Sequence, residues 1–179
     1  VYDGHRMGAF RFKDNEEGPF LNNDSMMAAP PWTSIRELEQ AILKLEEDEG
    51  DAEQLKWLNL LMVPGSSLGG ARPKASVLDE RGNLWIAKFP SKNNDRDIGA
   101  WEMVVNELAI KAGLAVAKSM TGTFYSKQHT FLTKRFDRKG NKRIHFASAM
   151  TLLDYTDSTN HEAGVSYLDL AEFIMRHGA

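Results

Sequence analysis

The sequence predicts an α+β chain. An antiparallel sheet carries one main helix, a small α/β subdomain precedes it, and the first helices of a further unit follow. Three observations lead there. Between 74 and 136, short apolar runs with strand-like alternation come in pairs, each joined by a polar turn. Between the two pairs lies a capped helical pattern at 98–112. Ahead of them, apolar residues recur at helical spacing from Ile35 to Met62.

Composition narrows the class. The 179 residues suffice for one domain or two small ones, and 42% hydrophobic content supports a packed core. A net charge of −3 argues against a nucleic-acid surface spread over the whole chain. The absence of cysteine excludes disulfides and thiolate metal sites, and is compatible with the cytoplasm. No apolar run approaches the roughly 20 residues of a membrane helix, so no membrane role is expected. No signal peptide is visible, and the start at Val1 rather than Met suggests a trimmed piece.

In chain order, Gly8–Lys13 alternates as a strand with Phe10 and Phe12 on one face, and Asp14–Pro19 is a turn. Phe20–Pro31 is irregular. Ser34-Ile35-Arg36-Glu37 has the capping-box pattern, opening an amphipathic helix over 35–48 through Ile35, Leu38, Ile42 and Leu45. Glu46–Glu49 reads as its solvated end. Gly50 breaks the pattern, and a second helix is expected at about 51–62.

Pro64–Ala75 follows, with three glycines, two serines and two cations between apolar runs. Such a loop lets backbone approach a ligand and can form an anion-binding nest. Gly65 and Gly70 fit the Walker glycine pair, but Ala71-Arg72 stands where Lys-Ser/Thr is required, and a strand follows instead of a helix. Taken as a bare Gly-rich loop, these residues read first as a plain surface loop.

Lys74–Leu78 and Leu84–Phe89 form a hairpin around Asp79–Asn83. Both faces of the second strand are apolar, which places it inside a sheet. Lys88 shares a face with Leu84 and Ile86; its ammonium either snorkels outward or is held over a phosphate. Asp97 caps the helix Ile98–Ala112 and Gly113 ends it, with Trp101, Val105, Leu108 and Ala109 as the expected inward stripe. Glu102, one turn in, is either solvated or ion-paired to Lys88. Two further strands, 115–125 and 129–136, turn at Ser126–Gln128. Lys134–Arg143 is the densest basic stretch and reads as a solvated hairpin, with a nucleic-acid patch as the lesser alternative. A helix is expected at 146–153, then a polar loop, then a helix capped by Ser166 and Asp169 and apolar over much of its surface. His145, His161 and Glu162 match no established ligand spacing, so no metal site is expected within the chain.

The order of these marks is the layout of a protein-kinase N-lobe: glycine loop, hairpin, lysine strand, helix with a glutamate, two strands, charged connector. The residues resemble HipA-like serine/threonine kinases of bacterial toxin–antitoxin systems. Ser67-Leu68-Gly69-Gly70-Ala71-Arg72-Pro73-Lys74 is similar to their Gly-rich loop, Ile86-Ala87-Lys88-Phe89-Pro90 to their ATP-lysine strand, and Arg135-Phe136-Asp137-Arg138 to their hinge. Phe146–Leu153 and Tyr167–Phe173 resemble the opening of their C-terminal lobe. The first 60 residues resemble, less strongly, the family's small N-terminal subdomain without its first strands. The implied division is 1–62, an N-terminal subdomain with a helix hairpin; 63–137, the kinase N-lobe; and 138–179, an incomplete C-terminal lobe.

The resemblance implies ATP with Mg2+ as cofactors. Lys88 would bind the α/β-phosphates, clamped by Glu102. Ser67, Leu68, Gly69, Gly70, Ala71 and Lys74 would cover the nucleotide, and Arg135, Phe136 and Asp137 would border adenine through backbone groups. Ser67 matches the family's autophosphorylated serine. A phosphate there adds about −1.5 to −2 charge, which is expected to push the loop out of the site. The implied partners are a helix-turn-helix antitoxin, through which alone DNA would be met, and a protein substrate, an aminoacyl-tRNA synthetase in studied members. No Asp is followed by Asn at the fifth position, so base and metal ligands are expected beyond Ala179, and the piece alone is expected to be inactive as a kinase. The alternative is a non-catalytic nucleotide- or antitoxin-binding module.

Overall fold

A computed structural model describes residues 2–46, 72–156, 159, 162 and 164–178. The expected helix at 51–62, the end of the first helix past Glu46, and loop residues Ser67, Leu68, Gly69, Gly70 and Ala71 lie outside the described residues. The chain is α+β, with a small antiparallel sheet and a few helices. It divides into two units, Val1–Ile144 and His145–Ala179.

The sheet of the first unit has four strands: β1 (Lys74–Leu78), β2 (Leu84–Lys88), β3 (Ser119–Gly122) and β4 (Thr130–Lys134), in the order β1-β2-β4-β3. All pairings are antiparallel. Strand β2 is therefore interior, as its two apolar faces require. The β1–β2 turn is held by Asp79, which accepts from the backbone N–H of Arg81 and Asn83 at 2.9 and 2.8 Å. Burial pushes this carboxyl up, but hydrogen bonds from Trp85, Asn83 and Arg81 outweigh it and bring it down to about 2.

Helix α1 (Ile35–Leu45) lies on one face of the sheet, as its 3.6-residue stripe dictates. Ile35, Leu38 and Ile42 form one core with Ala75, Val77, Trp85, Ala87, Phe89 and Leu132. Trp32 meets Trp85 edge-on, with centroids 5.4 Å apart. The expected capping box is absent. Trp32–Ser34 form a 3-10 turn that runs straight into the helix, so Ser34 is already helical and its hydroxyl makes no cap bond. Glu39 is fully buried on α1 and accepts from Ser126 N, Ser126 Oγ and Thr130 Oγ1 at 2.7–2.8 Å, which ties the helix to the far end of β4.

The segment before α1 departs from expectation. Gly8–Lys13 is not a strand; a single bridge joins Lys13 to Phe20, and Phe10 and Phe12 are exposed. An alternating run needs a partner edge, and here the backbone is taken by loop contacts instead. Asp3–His5 forms a 3-10 turn, and Pro30 accepts the N–H of Leu78 at 2.9 Å, docking the segment on β1.

Helix α2 (Ile98–Lys111) follows β2. Its expected inward stripe is overturned: Trp101, Val105 and Leu108 are 56–62% exposed. The half-buried line is Glu102, Met103, Asn106 and Ala109. The outer face of the sheet offers polar partners at the line of contact. Asn106 donates to Ser119 Oγ at 3.3 Å and Glu102 meets Lys88, so these residues turn inward, while Trp101 and Val105 border an open hollow and stay largely exposed.

The basic stretch folds into β5 (Arg138–Lys139) and β6 (Lys142–Arg143). It is not simply solvated. Arg135 is 2% exposed, and the Arg138 and Arg143 side chains are only 14% and 16% exposed, because they point at carboxylates and carbonyls of the N-terminal turn.

In the second unit, α3 is a single turn (Ala149–Leu152) capped by Ser148, shorter than the 146–153 pattern. Helix α4 (Tyr167–His177) opens on the expected Ser166/Asp169 capping box. Tyr167, Leu168 and Met175 on it are 78–91% exposed. No helix among the described residues is long and apolar enough to cross a membrane.

Candidate functional site

Alternation along β2 sends Trp85, Ala87 and then Phe89 into the core and turns Lys88 to the opposite face. Register sets its neighbours: Lys74 of β1 on one side and Phe131 of β4 on the other. The Lys88 ammonium stands 5.5 Å from the Phe131 ring centroid. Two lysines opposite each other on adjacent strands repel, so the arrangement needs an anion.

Glu102 supplies one. Its Oε2 accepts from Lys88 Nζ at 2.6 Å. Its Oε1 pairs with the Arg72 guanidinium, whose Nε also donates to the Phe89 carbonyl at 3.2 Å. Lys88, Glu102 and Arg72 are 33%, 25% and 19% exposed, so solvent screens the cluster only in part. Burial lowers Lys74, and the charges of Lys88 and Arg72 lower it further against the pull of Glu102. Burial likewise lowers Arg72, with Glu102 and Asp97 opposing. Two cations thus share a single carboxylate, with Lys74 opposite one of them, and Arg72 Nη2 is buried with no hydrogen-bond partner among the described residues. The surplus positive charge suits a polyanion.

The position of Glu102 is fixed by the start of α2. Asp97 caps the helix through Ala100 N at 3.1 Å and accepts the His129 N–H at 3.0 Å, while its second oxygen meets His129 Nδ1 at 2.6 Å. Burial raises the Asp97 carboxyl; the His129 and Ala100 hydrogen bonds outweigh it and hold it below the usual range. Gly99 lies so close to the next strand that a Cβ would come within 1.9 Å of the His129 carbonyl oxygen. Beside Lys88, a hollow of about 500 Å³ opens between α2, β3 and β4, lined by Trp101, Val105, Val116 and Phe131.

The expected site residues fall into three groups. Lys74, Lys88 and Glu102 come together. Ser67, Leu68, Gly69, Gly70 and Ala71 lie outside the described residues. Arg135, Phe136 and Asp137 begin four residues beyond Phe131 on β4, about 13 Å along an extended strand. The Arg135 and Asp137 side chains are wholly buried and face the N-terminal turn, not Lys88. Asp137 accepts from Arg135 Nε and Nη2 at 2.9 and 2.7 Å, from Arg138 Nη1 at 2.6 Å and from Gly8 N at 2.7 Å. Phe136 is exposed. Arg72 is the site residue that the sequence reading passed over. Its signal was a cation two positions before a strand whose first residue is also cationic.

Among the described residues no cluster of His, Cys, Asp and Glu could hold a metal ion, and His161 lies outside them. A model of the HipA-like C-terminal domain family matches residues 66–179. No curated protein and no solved structure matches the chain.

Proposed function

Given that the chain belongs to the HipA-like C-terminal domain family, we propose that its first unit is the nucleotide-binding N-lobe of a HipA-like serine/threonine protein kinase. The observation that carries this reading is the convergence of Lys88 and Arg72 on Glu102, one carboxylate shared by two cations, with Lys74 opposite Lys88 on the neighbouring strand. Such a cluster is under-neutralised, and the phosphates of ATP would complete it.

In this reading Lys88 binds the α/β-phosphates and Glu102 orients it. Ser67, Leu68, Gly69, Gly70 and Ala71 cover the nucleotide, and Ser67 is the autophosphorylated serine. Arg135 and Asp137 spend their side chains on holding the connector rigid, which leaves backbone groups of Arg135–Asp137 to border adenine. ATP with Mg2+ supplies the phosphoryl group. The protein substrate and a helix-turn-helix antitoxin are the expected partners.

The test is a titration of the full chain with Mg-ATP by calorimetry. Lys88→Met is expected to weaken binding at least about tenfold, or about 1.4 kcal/mol. Glu102→Gln should weaken it less, because the lysine keeps its charge and loses only its orientation. Absence of binding to the unaltered chain at millimolar ATP, or unchanged affinity in Lys88→Met, would overturn the reading.

A further inference from the structure

A second cationic site lies at the other end of the same sheet. Lys134 pairs with Trp85 while Phe131 pairs with Lys88, so the two places are about 10 Å apart along β4. Here a cavity of about 650 Å³ opens between the N-terminal turn, the β1–β2 turn and the β5–β6 hairpin. Five cationic side chains line it: Arg11, Arg135, Arg138, Lys139 and Arg143. Lys134 also borders it, but alternation turns its side chain to the Trp85 face, toward Asp79 and Glu80. No carboxylate lines it. Asp137 and Asp3 stand behind the wall, the first paired with Arg135 and Arg138, the second with Arg11 and Arg143. Two carboxylates against five cations leave a surplus of three positive charges on this wall.

The arginines are held in place rather than waving in solvent. Arg138 donates to the carbonyls of Gly8 and Arg6 at 3.2 and 2.6 Å, and Arg143 to those of Gly8, Asp3 and Arg6 at 2.9–3.2 Å. Neutral carbonyls fix these groups without cancelling their charge. Lys139 is exposed and pairs with no carboxylate among the described residues. His5, also in the lining, reports the resulting field. Burial, then Arg135, Arg138 and Arg143, push it down to about 4, so it adds no charge near neutral pH. Its Nδ1 accepts the Ala29 N–H at 2.7 Å, which leaves the proton on Nε2, a donor.

We propose that this cavity binds a short phosphate chain. Its volume suits a small ligand rather than a surface contact. The surplus charge matches a ligand with several negative charges. The wall has no Phe, Tyr or Trp on which a base could stack, so the recognised part is phosphate alone. The site is independent of the nucleotide reading, because it shares no side chain with the Lys88 cluster.

The probe is inorganic tripolyphosphate, titrated into the full chain by calorimetry at low salt. The variant Lys139→Gln removes a cation that takes no part in the Asp137 network and should leave the unfolding midpoint unchanged. It is expected to lower tripolyphosphate affinity about tenfold or more, whereas Lys88→Met leaves that affinity intact. The proposal is overturned by no heat at millimolar tripolyphosphate, by loss in Lys88→Met with Lys139→Gln unaffected, or by duplex DNA displacing the probe. The second result would assign the phosphate to the Lys88 site; the third would make this face a nucleic-acid surface.

Discussion

The substitution Asp137→Asn tests what holds the connector after β4. Asn keeps the shape and removes the charge. Both side chains of the Arg135–Asp137 pair are wholly buried, so the guanidinium of Arg135 would be left without a counterion in a place water does not reach. Breaking a buried pair from one side costs about 3–5 kcal/mol. The amide cannot evade this by turning over. One carboxylate oxygen receives Arg135 Nε and the other receives Arg135 Nη2, Arg138 Nη1 and Gly8 N, so in either orientation its NH2 meets a donor. Urea unfolding followed by tryptophan fluorescence reads the loss, since Trp85 is buried in the core. With a slope of about 2 kcal/mol per molar urea, the midpoint should fall by about 2 M. Removing both partners, as Arg135→Met with Asp137→Leu, should be milder than adding the two single losses, because no lone charge remains. A loss below about 1 kcal/mol for Asp137→Asn, or a double variant as bad as the sum, would refute the argument.

Two further outcomes follow from the same contacts. Gly99→Ala forces a Cβ to within 1.9 Å of the His129 carbonyl, so the start of α2 must shift; thermal unfolding should show a loss of about 1–3 kcal/mol, and no measurable loss would mean the close approach does not exist. His5 is the acid-sensitive group: its folded value, about 4, lies below the ordinary 6.5, so between these values the unfolded chain takes up a proton that the folded chain refuses. Stability should therefore fall as pH drops from 6.5 to 4. The full gap corresponds to about 3.4 kcal/mol, which partial exposure of the ring reduces to about 1 kcal/mol. Urea midpoints at both ends of that window check it, and His5→Gln should remove the dependence.

What was legible in the sequence was local. The β1–β2 hairpin could be read from Asp79–Asn83 between two apolar runs, and the start of α2 from Asp97, because turn and cap chemistry need only a few neighbouring residues. The pairing of Lys88 with Glu102 was also reachable, since strand alternation and one helical turn bring them to one side. The face of α2 that meets the sheet was not. Apolar spacing named Trp101, Val105 and Leu108, but the partner surface is the outer side of β2, β3 and β4, where Lys88 and Ser119 ask for Glu102 and Asn106. The polarity of that surface depends on residues distant in sequence. The same holds for Gly8–Lys13, whose alternation had no free strand edge to pair with, and for Ser34, whose capping role was lost when Trp32–Ser34 wound into a 3-10 turn. The basic stretch was misread for a related reason. Charge density suggests solvent, yet Arg135, Arg138 and Arg143 find their partners some 130 residues upstream.

Those long-range contacts also explain why the two cationic places can differ in character on one small sheet. At the Lys88 end, the acid that balances the lysines is carried by a helix whose start is pinned by Asp97, Gly99 and His129. Glu102 sits five residues after Asp97, about 7.5 Å along the helix axis, so its carboxylate is positioned by a rigid element rather than by the cations it serves. At the Lys134 end, the acids are Asp137 and Asp3, one on the connector and one on the N-terminal turn, and each is spent on arginines that fasten those two segments together. Their charge is thereby committed to structure. Lys139 beside them stays uncompensated because the balancing groups are needed to close the fold, while at Lys88 the surplus arises because Lys88 and Arg72 share one acid.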